Sequence, residues 1–458
     1  MAPVNQKSAL RSAEYDPVRG AATLALTTFE SGGVSLEDSL LHSRELVRFD
    51  ERDARFFKLL VSGVVKLKRR LDYQLKFYLS RPSEKLAPKL QNILRLGLFQ
   101  LQRVDRVPAA AVVNESVKLA RYFFGDPKAR MVNAILRSYL RDPDKAIFPD
   151  PEDDSARYLA EFYSYPDYFV SYCLKEFGFE KSAKLLDSMN GAPNLTLRVN
   201  LIKVKAPEIE QALKKAEVEF IAGAFLDEFY VLPDTPVSKI SDLLEKGKVY
   251  VQDQSAGMAV RLLNPRPGMT LCDLAAAPGG KTTYAASRMR GKGKITALDK
   301  SRRRLEVLVD NCKRMGVKMV APVACDAINF ESPERFERVI VDPPCSGWGT
   351  AAKHPDLRWL KTENDIKQMN KIQRKMLEKG ASLLKPGGIL VYSTCTIMRS
   401  ENDQIVEEFL LKNKEFELES ADSFFDSSVI SGRGFVKTFP NIPYVDGGFA
   451  ARIKRKPN

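Results

Sequence analysis

Residues 271–282 read Leu271-Cys272-Asp273-Leu274-Ala275-Ala276-Ala277-Pro278-Gly279-Gly280-Lys281-Thr282. A short apolar run, Leu271–Leu274, ends in a turn of small residues and two glycines. Such a turn lets backbone approach a ligand closely and offers it N–H groups. The spacing is neither the GxxxxGK[ST] of a phosphate loop nor the GxGxxG of dinucleotide folds. Taken alone, it fits a tight strand-to-helix connection equally well, so its meaning depends on what surrounds it. Further apolar runs at Ile295–Leu298, Val339–Val341 and Ile389–Tyr392 are separated by helical stretches. That alternation predicts a mostly parallel sheet covered on both faces, with ligands at the carboxyl ends of its strands.

The residues after each run are therefore the ones to inspect. Asp299 closes Ile295-Thr296-Ala297-Leu298, where a carboxylate can accept both hydroxyls of a ribose. Asp326 follows another apolar stretch and is placed to meet an adenine. Either acid alone could be a helix cap. The next run ends in Asp342-Pro343-Pro344-Cys345-Ser346-Gly347, whose tandem prolines present Asp342 and Cys345 rigidly. The last ends in Tyr392-Ser393-Thr394-Cys395-Thr396. Two thiols at the ends of neighbouring strands, flanking a nucleotide-type cleft, point to chemistry where one alone would be read as packing.

Composition bounds the rest. A chain of 458 residues exceeds a single hydrophobic core and predicts two or three domains. Hydrophobic residues make up 44% and charged residues 28%, an ordinary globular balance. The stretch MAPVNQKSAL lacks the apolar core of a secretory signal, and no run is long enough to span a membrane, so a cytoplasmic location is expected. The formal charge of +14 favours polyanionic partners. Cys173, Cys272, Cys312, Cys325, Cys345 and Cys395 show no CxxC spacing, and His42 and His354 are far apart. That pattern argues for reduced thiols and against a zinc site or any other metal centre.

Towards the N-terminus the apolar period becomes helical. Leu90, Ile93, Leu94, Gly97, Leu98 and Leu101 share one face, as do Val132, Ile135, Leu136, Tyr139 and Leu140. Pro88 and Pro108 lie near helix starts. Residues 142–155, DPDKAIFPDPEDDS, break this pattern as a linker. Beyond them Leu195, Leu197, Val199 and Leu201 alternate with polar residues, as in a half-buried strand. A helix from Pro207 and short strands near Val218–Ile221 and Phe229–Leu232 complete a small α+β module. The expected division is an all-α bundle over 1–145, the module over 155–235, and the α/β domain over 236–458. No internal repeat or low-complexity tract is present.

DLAAAPGGKT, DPPCSGWGT and STCT together resemble the RNA 5-methylcytosine methyltransferases. The likeness extends to Gln252-Asp253-Gln254-Ser255, Pro355-Asp356-Leu357-Arg358-Trp359, Glu401-Asn402 and Asp446-Gly447-Gly448-Phe449. Leu94–Gln100, Asn114–Val117 and Val132–Arg137 look like elements of the NusB-type RNA-binding helical domain, and Leu197-Arg198-Val199-Asn200 resembles the strand opening the methyltransferase's own extension. A NusB-like bundle fused to this catalytic domain is the architecture of the RsmB/Sun-type small-subunit rRNA methyltransferases. Two departures stand out: Ala275 where a cysteine is common, and Gly448 where a second aromatic is common.

The resemblance implies a Rossmann-like class I methyltransferase domain with a seven-stranded sheet, S-adenosylmethionine as cofactor, and a monomer acting on small-subunit rRNA without a membrane or metal. It implies that Ala275, Ala276, Ala277, Pro278, Gly279, Gly280, Lys281, Asp299, Asp326 and Asp342 bind the cofactor. It makes Cys395 the nucleophile and Cys345 the residue assisting elimination, with Asp342 holding the base edge near N3. The family's usual target is cytosine 967 of 16S rRNA. The chemistry is consistent with this, because C5 of cytosine is a poor nucleophile until a thiolate adds at C6. Methylation of a tRNA or another RNA is one alternative. An exocyclic-amine methyltransferase would typically carry an aromatic where Cys345 stands and has no use for a second thiol. A non-catalytic RNA-binding or assembly factor would show a lost cofactor loop or lost thiols, and neither is lost.

Overall fold

The computed structural model describes residues 15–32, 34–46, 49–80 and 86–457; the stretch Met1–Leu10 read for a secretory signal lies outside them. Contacts divide the chain into two units. One runs to Asn190 and takes in His354–Leu360, and the other comprises Gly191–Lys353 and the chain from Lys361 onward.

Among the described residues the first unit contains helices and no strand. Helices Pro17–Glu30, Glu51–Leu75 and Ser155–Tyr163 begin behind Asp16, Asp50 and Asp154, whose carboxylates accept first-turn N–H groups at 2.7–2.9 Å. Helix Pro88–Arg103 starts on a proline instead, and Ala109–Phe124 follows Pro108. Leu60, Val61, Leu71, Ile93, Leu94 and Leu136 are fully buried in the shared core, each worth about 1.5–3 kcal/mol of burial. Gly97 is required by close approach: a Cβ there would lie 2.8 Å from Leu136. In helix Asp126–Arg141 the apolar face ends before Leu140, which is 42% exposed. Helices Ser155–Tyr163 and Asp167–Asn190, in the part of the sequence read as a linking module, pack with this unit.

The second unit opens with a four-stranded antiparallel sheet of β1 (Leu195–Val199), β2 (Ile221–Ala222), β3 (Phe229–Leu232) and β4 (Val249–Val251), in the order β2-β3-β1-β4. Helix Ala206–Lys215 packs Ile209 and Leu213 on Leu197, Val199 and Leu232. Strand β1 is not half-buried as its alternation suggests. Thr196 and Arg198 are buried as well, because the second face is covered too. The strand expected near Val218 begins only at Ile221, since Val218 is taken into the core behind the helix.

The larger sheet contains β5 (Thr270–Asp273), β6 (Lys294–Asp299), β7 (Val320–Ala324), β8 (Phe336–Val341), β9 (Leu384–Thr394), β10 (Phe416–Glu419), β11 (Val436–Thr438) and β12 (Gly448–Arg455). Seven of these strands run β10-β12-β9-β8-β5-β6-β7, and β11 adds to β12 off that path. Pairings from β7 to β9 are parallel, while β12 is antiparallel to β9, β10 and β11. Side chains alternate between two cores. Leu271, Ile295 and Ile340 face one side, and Cys272, Leu298, Val339 and Tyr392 the other. From β5 the chain moves to β6 and β7 on one side, then returns to β8 on the other. The crevice belongs at this switch point, beyond the carboxyl ends of β5 and β8.

Candidate active site

The glycine-rich turn closes β5 and leads into helix Gly280–Arg288, whose first-turn N–H groups have no partner within the helix. Gly279 takes φ 106°, a conformation open to glycine. The turn is held from behind. Ala276 N donates to Leu298 O at 2.8 Å, and Asn311 donates to Pro278 O at 3.0 Å. Arg304 donates to Ala277 O, and Arg198 to Gly280 O at 2.6 Å. With those carbonyls occupied on one side, the opposite side of the turn is a backbone cradle.

Arg198 is an unexpected member of this support. It arrives from β1, is fully buried, and also donates to Gln252 and Thr283. The rings of Tyr250 and Tyr284 lie 5.1 and 4.9 Å from its guanidinium carbon. Burial pulls its pKa down to about 10. Asp273 at the end of β5 accepts from Thr282 Oγ1 at 2.7 Å, and burial raises its pKa to about 6.

Asp299 ends β6 and is buried, accepting from Ser301 N at 2.9 Å and pairing with Arg304 at 3.2 Å. Each carboxylate oxygen keeps a further acceptor site. Asp326, beyond β7, is exposed and caps the short helix Ala327–Asn329 through Ile328 N at 3.0 Å. Cradle, buried carboxylate and exposed acid follow three adjacent strands, and their donor and acceptor types suit a nucleoside cofactor carrying charged groups.

Strands β8 and β9 are neighbours, so the segments that follow them converge. Cys345 Sγ and Cys395 Sγ are 3.3 Å apart, and Cys395 is exposed. Lys281 from the turn reaches across to Asp342 at 2.6 Å, and Ser393 donates to the other Asp342 oxygen at 3.2 Å. Burial opposes the charge on Lys281, but Asp342 outweighs it and raises the pKa. The hydrogen bond from Cys345 lowers the Cys395 pKa; the protein packed around the sulfur, which leaves only one side open, and the Asp342 charge oppose that shift, and Lys281 assists it. Cys345 moves the other way, pushed well up by holding the shared proton and by burial. The arrangement is an exposed thiol whose pKa is lowered, beside a second thiol whose pKa is raised and a lysine–aspartate ion pair.

A second network fixes both cysteine segments. Buried Glu401 accepts from Ser346 N at 2.9 Å, from Ser346 Oγ, and from Gln373 at 3.0 Å. Ser346 Oγ also lies 2.8 Å from Thr396 Oγ1, while Asn402 donates to Thr396 O at 2.8 Å. Gly349 N donates to Cys395 O at 3.0 Å, and Gly447 N to Gly349 O at 2.9 Å. Lys353 then joins Asp253 at 3.0 Å to Asp446 at 2.6 Å. Gln373, Arg304 and Lys353 carried no signal in the sequence. Glu401 and Asp446 were marked only through the motifs that contain them.

Pro355–Trp359 is assigned by its contacts to the other unit. His354–Leu360 belongs to the helical unit, where Arg358 is buried over the Tyr165 ring. Among the described residues no group of three or more His, Cys, Asp and Glu is arranged to hold a metal. No described helix is long and apolar enough to cross a membrane.

Comparison with known families and structures agrees with this architecture. The model of the 16S rRNA methyltransferase RsmB/F family matches residues 260–454, the NusB family 17–141, and the ferredoxin-like domain of RsmF/B-like methyltransferases 165–238. A probable ribosomal RNA small subunit methyltransferase B of Bacillus subtilis (strain 168) is 32% identical, over 83% of this chain and 84% of the relative. One of the same description from Synechocystis sp. is 34% identical, over 88% and 91%. The crystal structure of PH0851 superposes with a TM-score of 0.79 at 26% identity, covering 97% of this chain and 100% of that one.

Proposed function

Because the chain belongs to the RsmB/F family of 16S rRNA methyltransferases, we propose that it methylates C5 of a cytosine in small-subunit rRNA, with Cys395 as the nucleophile and cytosine 967 as the target. The observation that carries this reading is the thiol pair: an exposed cysteine whose pKa is lowered by a second thiol 3.3 Å away. Ala275–Lys281, Asp299, Asp326 and the edge of Asp342 would hold S-adenosylmethionine, which would supply an electrophilic methyl group when bound. The Cys395 thiolate adds to C6 of the base, forming an Sγ–C6 bond and moving the C5–C6 electron pair onto C5 as an enamine. N3 takes up a proton from solvent as C6 is attacked, and Asp342, held by Lys281 and Ser393, accepts that N3–H and stabilises the activated ring. Once C5 is methylated a solvent base takes its proton, the C–H electron pair re-forms the C5–C6 double bond, and the Cys395 thiolate departs as the C6–Sγ bond breaks. Cys345 assists this elimination. The base must be unpaired or extruded to reach Cys395. The enzyme acts in the cytoplasm as a monomer on RNA.

Two variants test the assignment. Cys395→Ala abolishes incorporation of labelled methyl groups into small-subunit rRNA; substantial residual incorporation would remove Cys395 as nucleophile. Cys345→Ala accumulates a protein–RNA adduct that survives denaturing electrophoresis and dissolves on nuclease treatment. Mapping 5-methylcytosine in that RNA with and without the enzyme identifies the target, and a modified position other than 967 would reassign it.

A further inference from the structure

Helix Asp126–Arg141 buries Val132, Ile135 and Leu136, and the opposite side carries residues the proposed chemistry does not use. At 3.6 residues per turn, Arg130, Ala134, Arg137 and Arg141 fall within about 60° of one another around the axis. All four are exposed. At 1.5 Å per residue the three arginines extend over about 16 Å, with Arg137 and Arg141 about 6 Å apart along the axis. Nucleic acid duplexes place a backbone phosphate every few ångströms of axis, so a row of this length faces several phosphates.

The row is electrostatically open. Asp126, on the same side at the helix start, is held by Arg121 at 2.8 Å. Asp142 and Asp144 follow the helix end with exposed side chains, and neither carboxylate pairs with an arginine of the row. Among the described residues, Arg130, Arg137 and Arg141 have no carboxylate within ion-pair distance. Arg141 stands in the last turn, where a cation suits the helix dipole, whereas Arg130 lies near the other end, where that dipole disfavours it, and Arg137 and Arg141 repel each other four residues apart. Arg137 is also set in place: its Nε donates to Asn133 Oδ1 at 3.0 Å, leaving both terminal amino groups for an outside acceptor. Asn133 and Arg137 are the polar members of Val132–Arg137, whose Val132, Ile135 and Leu136 are taken up by the core. Arginine is the side chain whose planar fork matches phosphate oxygens, and Ala134 keeps the centre of the row low.

We propose that Arg130, Arg137 and Arg141 form the surface by which the helical unit grips the phosphate backbone of the substrate RNA. The proposal rests on the reading of the chain as an RNA methyltransferase. The test uses the full chain and a fluorescein-labelled small-subunit rRNA hairpin containing cytosine 967, with binding followed by anisotropy across a salt series. Replacing all three with glutamine (R130Q, R137Q, R141Q) raises Kd by about tenfold and makes the dependence of log K on log salt shallower by about 2. kcat at saturating RNA and the circular dichroism melt stay at the parent's values. A triple lysine variant keeps most of the salt dependence.

Unchanged Kd and salt slope in the glutamine variant overturn the surface while leaving the methyltransferase reading intact. A parent that loses RNA affinity through these substitutions, yet methylates no cytosine, overturns the reading and keeps the surface. Full affinity for naked RNA together with a raised KM on an RNA–protein particle would give this face to a protein and overturn the proposal.

Discussion

At the scale of single residues, the site turns on which of two adjacent thiols carries the charge. Thiols 3.3 Å apart titrate as a pair, and ionising one disfavours ionising the other. The Cys345 hydrogen bond selects Cys395, with Lys281 reinforcing the choice. The Cys395 pKa therefore lies below its ordinary 9.0, and the thiolate fraction grows with rising pH until that lowered value is passed. Alkylation of Cys395 by iodoacetamide, followed by peptide mass spectrometry, reports this directly. The rate should rise with pH to a plateau whose midpoint lies below 9.0 in the parent and shifts upward in Cys345→Ala. The midpoint is the decisive quantity, since removing Cys345 also opens access and changes the absolute rate. A midpoint unmoved by the substitution would mean that another group stabilises the thiolate.

At the scale of elements, the site is a junction of loops fixed to one another. Gly349 has no room for a side chain, since a Cβ there would lie 2.0 Å from Gly447 O. The outer tie is Lys353 between Asp253 and Asp446, two acids sharing one ammonium. Burial, then the Asp253 charge, push the Asp446 pKa up to about 7. A raised carboxyl pKa contributes stability that is full below the ordinary carboxylate range and lost as pH rises through about 7. Asp446→Asn imitates the protonated acid, so its urea midpoint relative to the parent's should climb between pH 5 and pH 8. A pH-independent difference would remove the shared-lysine account. Such ties also explain what the sequence could and could not reveal. Strands β5, β6, β8 and β9 were legible because burial on both faces gives continuous apolar runs, and the cysteine motifs stood at the ends of β8 and β9. Strand β1 misled because Thr196 and Arg198 look solvent-facing until the turn that Arg198 supports is in place. Gln373 and Lys353 are single polar residues whose partners lie 28 and 93 or more positions away, and no local period encodes that.

At the scale of the whole molecule, sequence order and packing part company at His354–Leu360. This segment lies between the two cysteine motifs in the chain, yet its contacts make it part of the helical unit. Arg358 is fully buried there, donating to Lys66 O at 3.0 Å, Met189 O at 3.0 Å and Asn190 Oδ1 at 2.7 Å, with the Tyr165 ring 4.0 Å away. Met189 and Asn190 end their helix, so the guanidinium satisfies a carbonyl that the helix itself leaves open. Trp359 Nε1 donates to Val65 O at 2.7 Å, extending the same anchor. Arg358→Ala strips a charged donor from four acceptors at once, Ser164 O at 3.5 Å being the fourth, and leaves a cavity over Tyr165. Because hydrogen bonds from charged groups contribute about 1.5–3 kcal/mol and buried acceptors left unpaired cost more, the helical unit should lose about 2–4 kcal/mol. The chain's two tryptophans, Trp348 and Trp359, fall in different units, which makes the loss assignable. In a Trp348→Phe background, fluorescence during urea unfolding reports Trp359 and the helical unit, where Arg358→Ala lowers the midpoint. In a Trp359→Phe background it reports buried Trp348, where the same substitution leaves the midpoint in place. Equal shifts in both backgrounds would show that Arg358 stabilises the molecule as one cooperative body, and no shift in either would mean that the buried guanidinium contributes nothing.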